Sequence, residues 1–123
     1  MEQQEDTPET RLDVVSQTLE DEKAEEVTHY DLRGKTHIAD YMIIANGRST
    51  THVKALANKL LENCKSAKIK PVRAEGIGQG DWILVDAGDV FIHLFRAEVR
   101  DFYDMDRLYE ECEVKSFESS ETL

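Results

Sequence analysis

Hydrophobic residues along this chain follow two periods. In Trp82-Ile83-Leu84-Val85 and in Val90-Phe91-Ile92-His93-Leu94-Phe95 the apolar side chains are nearly continuous. A strand apolar on both faces is covered on both faces. Asp86-Ala87-Gly88-Asp89 separates the two runs. Asp and Gly are turn formers, and Gly supplies the positive φ that a tight hairpin requires. Residues 81–95 therefore predict a hairpin set deep in a sheet. Three polar groups interrupt it: Asp86, Asp89 and His93.

Elsewhere the helical period dominates. From Thr10 onward, Leu12, Val15 and Leu19 make a thin helical stripe, and the acids from Glu20 to Glu26 make its far end polar. Val27 to Leu32 reads as a strand with Gly34-Lys35 as its turn, and Tyr41 to Ala45 as a stronger strand ended by Asn46-Gly47. Val53, Leu56, Ala57, Leu60, Leu61 and Cys64 then recur at three- and four-residue steps. They form one apolar helix face, with Ser49 as its N-cap. Pro71 marks the exit, Val72 to Glu75 is a short strand, and Gly76-Ile77-Gly78-Gln79-Gly80 is a flexible loop. A last helix is expected from about Ala97 to Cys112, with Val99, Phe102, Tyr103, Tyr109 and Cys112 inward. The order helix, two strands, helix, three strands, helix predicts an α+β domain. Its mixed five-stranded sheet packs with about three helices. The single domain spans 10–113, between a disordered acidic tail at 1–9 and a polar C-terminal tail at 114–123.

Charge adds a constraint. The 123 residues carry a net −11. Residues 1–26 hold ten acids and two bases, net −8; residues 104–123 hold seven and two, net −5; residues 27–103 hold nine acids and eleven bases, net +2. Such acidity disfavours a non-specific grip on DNA or RNA phosphates. It suits a basic partner such as a ribosomal protein or a histone, though charge alone favours a solubilising surface. No apolar run approaches 18 residues, so no membrane span is expected. The acidic start matches neither a secretory signal nor a transit peptide. Cys64 and Cys112 form no Cys-x-x-Cys pair and read as reduced packing residues of a cytoplasmic protein.

Catalytic signals are weak. The glycine loop at 76–80 is neither Gly-x-Gly-x-x-Gly nor a Lys-bearing phosphate loop, and a strand follows it. Gly47, Ser49 and His52 open a helix, where free N–H groups can hold an anion; a capped helix start explains the same residues. His93 with Asp86 and Asp89 resembles an acid–base pair, but no nucleophile stands beside it. A hydrogen-bonded structural histidine is the better reading. Asp104 and Asp106 share a helix and diverge by about 200°, so they would not converge on a metal. No cofactor or metal site is expected. Trp82 is either core or presented to a partner, since Trp is enriched in binding hot spots.

Certain stretches, taken in order, form a signature: Gly34-Lys35-Thr36, Ile38 to Gly47, His52-Val53, Glu75-Gly76, Asp81 to Val90, His93-Leu94-Phe95 and Arg100 to Leu108. This series resembles the ribosomal silencing factor family, RsfS or Iojap, over about residues 12–109. Thr51 stands where the family usually has Arg, which weakens a basic contact at that helix start. Tyr109 stands where it usually has Trp, which keeps an aromatic. The resemblance implies a nucleotidyltransferase-like fold without transferase activity. It implies binding to large-subunit ribosomal protein fourteen on the large ribosomal subunit. The bound factor would then exclude the small subunit and silence translation when nutrients are short. It also implies a homodimer. Active nucleotidyltransferases pair a Gly-Ser helix start with two strand carboxylates that hold Mg²⁺; here the hairpin strand offers Asp86 alone, with Asp89 past the turn. The competing readings are a small nucleotide-dependent transferase using Gly47 with Asp86 or Asp89, and a ribosome-assembly factor. The residues expected at a partner surface are Asp40, Trp82, Leu84, Asp86, Asp89, His93, Tyr103 and Leu108.

Overall fold

The computed structural model describes residues 7–35, 37, 39–70, 72–78, 80–103 and 107. Helix α1 spans Pro8–Asp21, strand β1 Glu25–Asp31, β2 Tyr41–Gly47, helix α2 Thr50–Ser66, β3 Arg73–Glu75, β4 Trp82–Asp86, β5 Val90–Arg96, and helix α3 Ala97–Tyr103. The strands form one mixed sheet in the order β1-β2-β5-β4-β3. Only β2 and β5 are parallel, and the hairpin β4–β5 places β5 at the centre. The expected α+β fold, with five strands and three helices, is the one observed.

Helix α1 begins earlier than its apolar stripe suggests. Thr7 is the N-cap, Pro8 opens the first turn, and Thr7 and Thr10 bond reciprocally as a capping box. Pro at the first helical position loses no hydrogen bond. Pro8 and Glu9 thus lie in a helix capped by Thr7, where a tail was expected.

Both long helices end alike. At α1 the Ala24 N–H donates to the Leu19 carbonyl and Lys23 to Glu20. At α2 Ile69 donates to Cys64 and Lys68 to Lys65. Each end is a Schellman motif, with Lys23 and Lys68 at φ 63 where glycine is usual.

Two apolar layers sandwich the sheet. On one face, α1 and α2 pack Leu12, Val15, Leu19, Val53, Leu56 and Leu60 against Ile43, Ile83, Val85, Ile92 and Leu94. On the other, Tyr30, Leu32, Met42, Ile44 and Phe95 form a smaller cluster joined by Phe91 and Val99. All seven residues of β2 are buried, as a strand covered on both faces requires.

Buried arginines tie the layers together. Arg11 of α1 donates to the carbonyl of Ala87 in the hairpin turn and to that of Lys70, 2.8 Å away. Gly88, at φ +80, leaves the space that its guanidinium fills. Arg100 of α3 donates to the Glu26 carbonyl (2.6 Å), Asn46 Oδ1 (3.0 Å) and Thr28 Oγ1 (3.0 Å). It spans the bulge between Glu25 and Thr28, where Glu26 has φ 50.

Arg100 also corrects the reading of the last helix. Phe102, expected inward, is 79% exposed, while Arg100 is buried. The helix turns about 100° per residue, so Phe102 lies about 200° round from Arg100. The inward direction is set by Val99 and by the polar groups that Arg100 meets. Tyr109 and Cys112 lie outside the described residues.

An Arg100→Ala variant leaves a carbonyl and an amide oxygen without this donor. Urea unfolding should show a loss of about 2–3 kcal/mol, with Arg100→Lys recovering only part of it. An unchanged midpoint would remove Arg100 from the account of how α3 docks.

Candidate partner-binding site

Cross-strand partners share a face, so the register defines the side of the sheet away from α1 and α2. Trp82 is opposite Phe95, Leu84 opposite His93 and Asp86 opposite Phe91. Arg73 and Glu75 of β3 extend the face beyond Asp86 and Leu84. Helix α3 packs mainly on β5 and β2. The β4 side of this face stays open: Leu84 and Asp86 are half-buried, and Trp82 is 36% exposed. An apolar strip with charged margins therefore runs along β4.

Trp82 is neither plain core nor loose surface. Its indole N–H donates to His93 Nδ1 at 2.9 Å. Its ring lies 5.0 Å from Phe95 and 5.8 Å from His93, centroid to centroid. His93 is buried, and burial pushes its pKa down to about 4. The ring is therefore neutral near pH 7. Because Nδ1 accepts, its proton sits on Nε2. His93 is thus a positioning group that fixes a half-exposed Trp.

Asp86, Asp89 and Asp40 lie at one end of the strip, while Glu75 flanks Leu84 and Asp81 at the other end pairs with Arg96. Asp86 Oδ1 accepts the Gly88 N–H at 2.9 Å, closing the turn, and Oδ2 lies 3.4 Å from Arg73. Asp89 is exposed, and its carbonyl accepts the N–H groups of Asp40 and Tyr41. That bond sets Asp40 and Asp89 side by side where β2 and β5 begin. Tyr103 closes α3 without a described side chain, and Leu108 lies outside the described residues.

Gly47, Ser49 and His52 stand at the opposite end of the sheet. Gly47 pairs with Arg96 at the far end of β5, whereas Asp89 precedes Val90 at its start. Six residue steps along a strand cover roughly 20 Å. One small substrate cannot reach both sets, which counts against the transferase reading. The helix start is also occupied from within. Ser49 Oγ accepts the His52 N–H, and His52 Nδ1 accepts the Arg48 N–H while Nε2 meets the Glu22 carbonyl. A Cβ on Gly47 would lie 2.8 Å from the Val53 side chain, so glycine here lets the strand end approach α2. In the glycine loop the Gly80 N–H donates to the Gly76 carbonyl, and Gly80 lies against Thr50. Among the described residues, no three of His, Cys, Asp or Glu converge as a metal site. No described helix is long and apolar enough to cross a membrane.

The sequence profile described as "Ribosomal silencing factor during starvation", RsfS, matches residues 4–122. The chain belongs to the RsfS family. It is similar to the ribosomal silencing factor of Zymomonas mobilis, 47% identical over 102 residues, covering 83% of this chain and 77% of that one. A crystal structure of a Chromobacterium violaceum protein superposes with a TM-score of 0.81 at 36% identity, covering 85% of this chain and 87% of the other. A more distant mouse relative is named for mitochondrial assembly of the ribosomal large subunit; it is 30% identical, over 80% of this chain and 44% of that protein. Family membership places the chain in ribosome-associated regulation.

Sequence reasoning missed Arg100 and Arg73. A charged residue between apolar helix positions reads as solvated, and no local pattern marks Arg100 as inward. Arg73 becomes part of the site through its pairing with Asp86, which no local pattern announces.

The histidines make a pH prediction. His29 and His93 have folded pKa values lowered by burial to about 4, against 6.5 when free. Above pH 6.5 both states are neutral and the stability is intact. As pH falls from 6.5 toward 4, the unfolded chain takes up protons that the folded chain does not, and stability drops. Each histidine should contribute on the order of 1–3 kcal/mol to that loss. Urea midpoints at pH 7, 6 and 5 should fall steadily, and His93→Gln should flatten the slope. A flat profile would contradict the burial of both rings.

Proposed function

We propose that this protein binds large-subunit ribosomal protein fourteen through the β4 strip and, while bound, keeps the small subunit from joining. The observation that carries the reading is the fixed, half-exposed Trp82 beside Leu84 with Asp86, Asp89 and Asp40 at one end. A preset aromatic in an apolar strip is the usual form of an interface anchor. Its ordering cost is met before binding, because His93 already fixes the indole. The acidic margin and the net charge of −11 favour a basic partner, as many ribosomal proteins are. Steric exclusion needs no chemistry, and the separation of Gly47 from the acids supports a non-catalytic module. The profile's description adds starvation as the setting.

A second reading has one observation in its favour, the name of the mouse relative. The same surface engaging a maturing large subunit would assist assembly. Deleting the gene separates the two: accumulation of large-subunit precursors in rich medium favours assembly, and failure to repress translation in starvation favours silencing.

Variants at the strip test the surface. Asp86 shapes the turn, so Asp89→Lys is the cleaner charge reversal. It should fold normally and lower affinity for ribosomal protein fourteen by about tenfold or more. Trp82→Ala should cost at least about 2 kcal/mol of binding. If both variants stay folded, sediment with large subunits like wild type and still block joining, the strip is not the interface.

A further inference from the structure

The chain's acidity hides a local reversal. From Lys59 to Arg73 stand five bases, Lys59, Lys65, Lys68, Lys70 and Arg73, against Glu62 alone, a net +4 within a chain of −11. Lys65, Lys68, Lys70 and Arg73 are all exposed. Lys59 pairs with Glu62 and Arg73 with Asp86, but among the described residues Lys65, Lys68 and Lys70 form no ion pair. Lys65 and Lys70 border an open hollow of about 680 Å³, lined also by Ile69 and Val72, with no acid among these residues.

The backbone beneath these lysines is fixed. The Lys65 carbonyl accepts the Lys68 N–H, the Cys64 carbonyl accepts the Ile69 N–H, and the Lys70 carbonyl accepts from Arg11. Complementing the helix dipole accounts for cations in the last turn. It does not account for Lys70 and Arg73, which follow the helix.

We propose that the end of α2 and the start of β3 contact the phosphate backbone of ribosomal RNA beside the docked protein partner. The inference rests on the proposed binding to ribosomal protein fourteen. Lysine ammonium groups are point charges suited to phosphate oxygens and indifferent to base sequence. The hollow is open, so a polyanion can lie across it. Arg73 is the cross-strand partner of Asp86, which makes the basic surface continuous with the margin of the protein-binding strip. A ribosomal subunit presents RNA phosphates as well as protein surface to a docked factor. The acidity read from the chain as a whole disfavours a grip on nucleic acid in isolation; the patch acts only once the strip has docked.

The test compares wild type with Lys65→Gln/Lys70→Gln, both sites being exposed so that folding is kept, with thermal unfolding as the check. Affinity for isolated ribosomal protein fourteen and for intact large subunits is measured across a salt series. We expect equal affinity of the two proteins for the isolated partner. On intact subunits the variant should bind about tenfold more weakly, and its dependence of log affinity on log salt should be shallower by roughly 1.5–2, as for two lost phosphate contacts. Equal affinity and slope on subunits would overturn the RNA contact while leaving the protein interface standing. An equal loss on the isolated protein would assign the lysines to an acidic protein surface and overturn it too. Wild type binding subunits but not the isolated protein would sink the proposed partner; the slope comparison on subunits would then still decide the RNA contact. Binding to neither would overturn both.

Discussion

Seven consecutive residue pairs join β2 to β5, from Tyr41–Val90 to Gly47–Arg96. The two strands run parallel, so the chain between them must travel the length of the sheet and return. Helix α2 covers one face on the way, and β3 and β4 then come back to place β5 against β2. Ile43, Ala45, Ile92 and Leu94 face α1 and α2, while Met42, Ile44 and Phe95 face the other layer. Weakening this pair would expose both clusters at once. It also sets the ends of the sheet: Asp40 and Asp89 meet because β2 and β5 begin together, and Gly47 is remote from them for the same reason.

Two buried guanidiniums hold the outer layers to that centre. Arg11 bonds the hairpin turn and the residue after α2; Arg100 bonds the β1 bulge and Asn46. Each supplies donors to acceptors on separate elements, among them the buried Ala87 carbonyl and Asn46 Oδ1. Arg100 also turns Phe102 outward, beside a sheet that already exposes Trp82. The polar anchoring of α3 therefore decides how much apolar surface the second face presents.

That face is core on one side and open on the other, and the open side is the surface proposed for recognition. Where α3 covers β5 and β2, the side chains are core. Over β4 the same face remains open, and His93 reaches from the covered side to fix Trp82. The buried histidine thus links the stability of the sheet to the geometry of the exposed indole, and acidification acts on both. Beyond β4, Arg73 changes the sign of the surface from the acidic margin to the lysines after α2. One continuous edge presents apolar, acidic and basic zones in turn, a pattern suited to a partner that is itself a composite.

Local sequence patterns were enough for the layout. Unbroken apolar runs marked the central strands, three- and four-residue steps marked α2, Ser49 marked its start, and Asp86 to Asp89 marked the hairpin turn. Each rests on side chains within a few residues of one another, where spacing alone decides which share a face. Family membership was legible too, through an ordered set of short segments. The exposure of Trp82, the inward turn of Arg100, the outward turn of Phe102 and the backbone bond that joins Asp40 to Asp89 were not. The apolar pattern of β4 is the same whether or not a helix covers its second face, and only the docking of α3 on β5 and β2 settles it. A buried arginine looks solvated until the carbonyls it serves are brought to it from residues 54 to 74 positions away. Those placements depend on contacts between distant segments, and no periodicity in the chain encodes them.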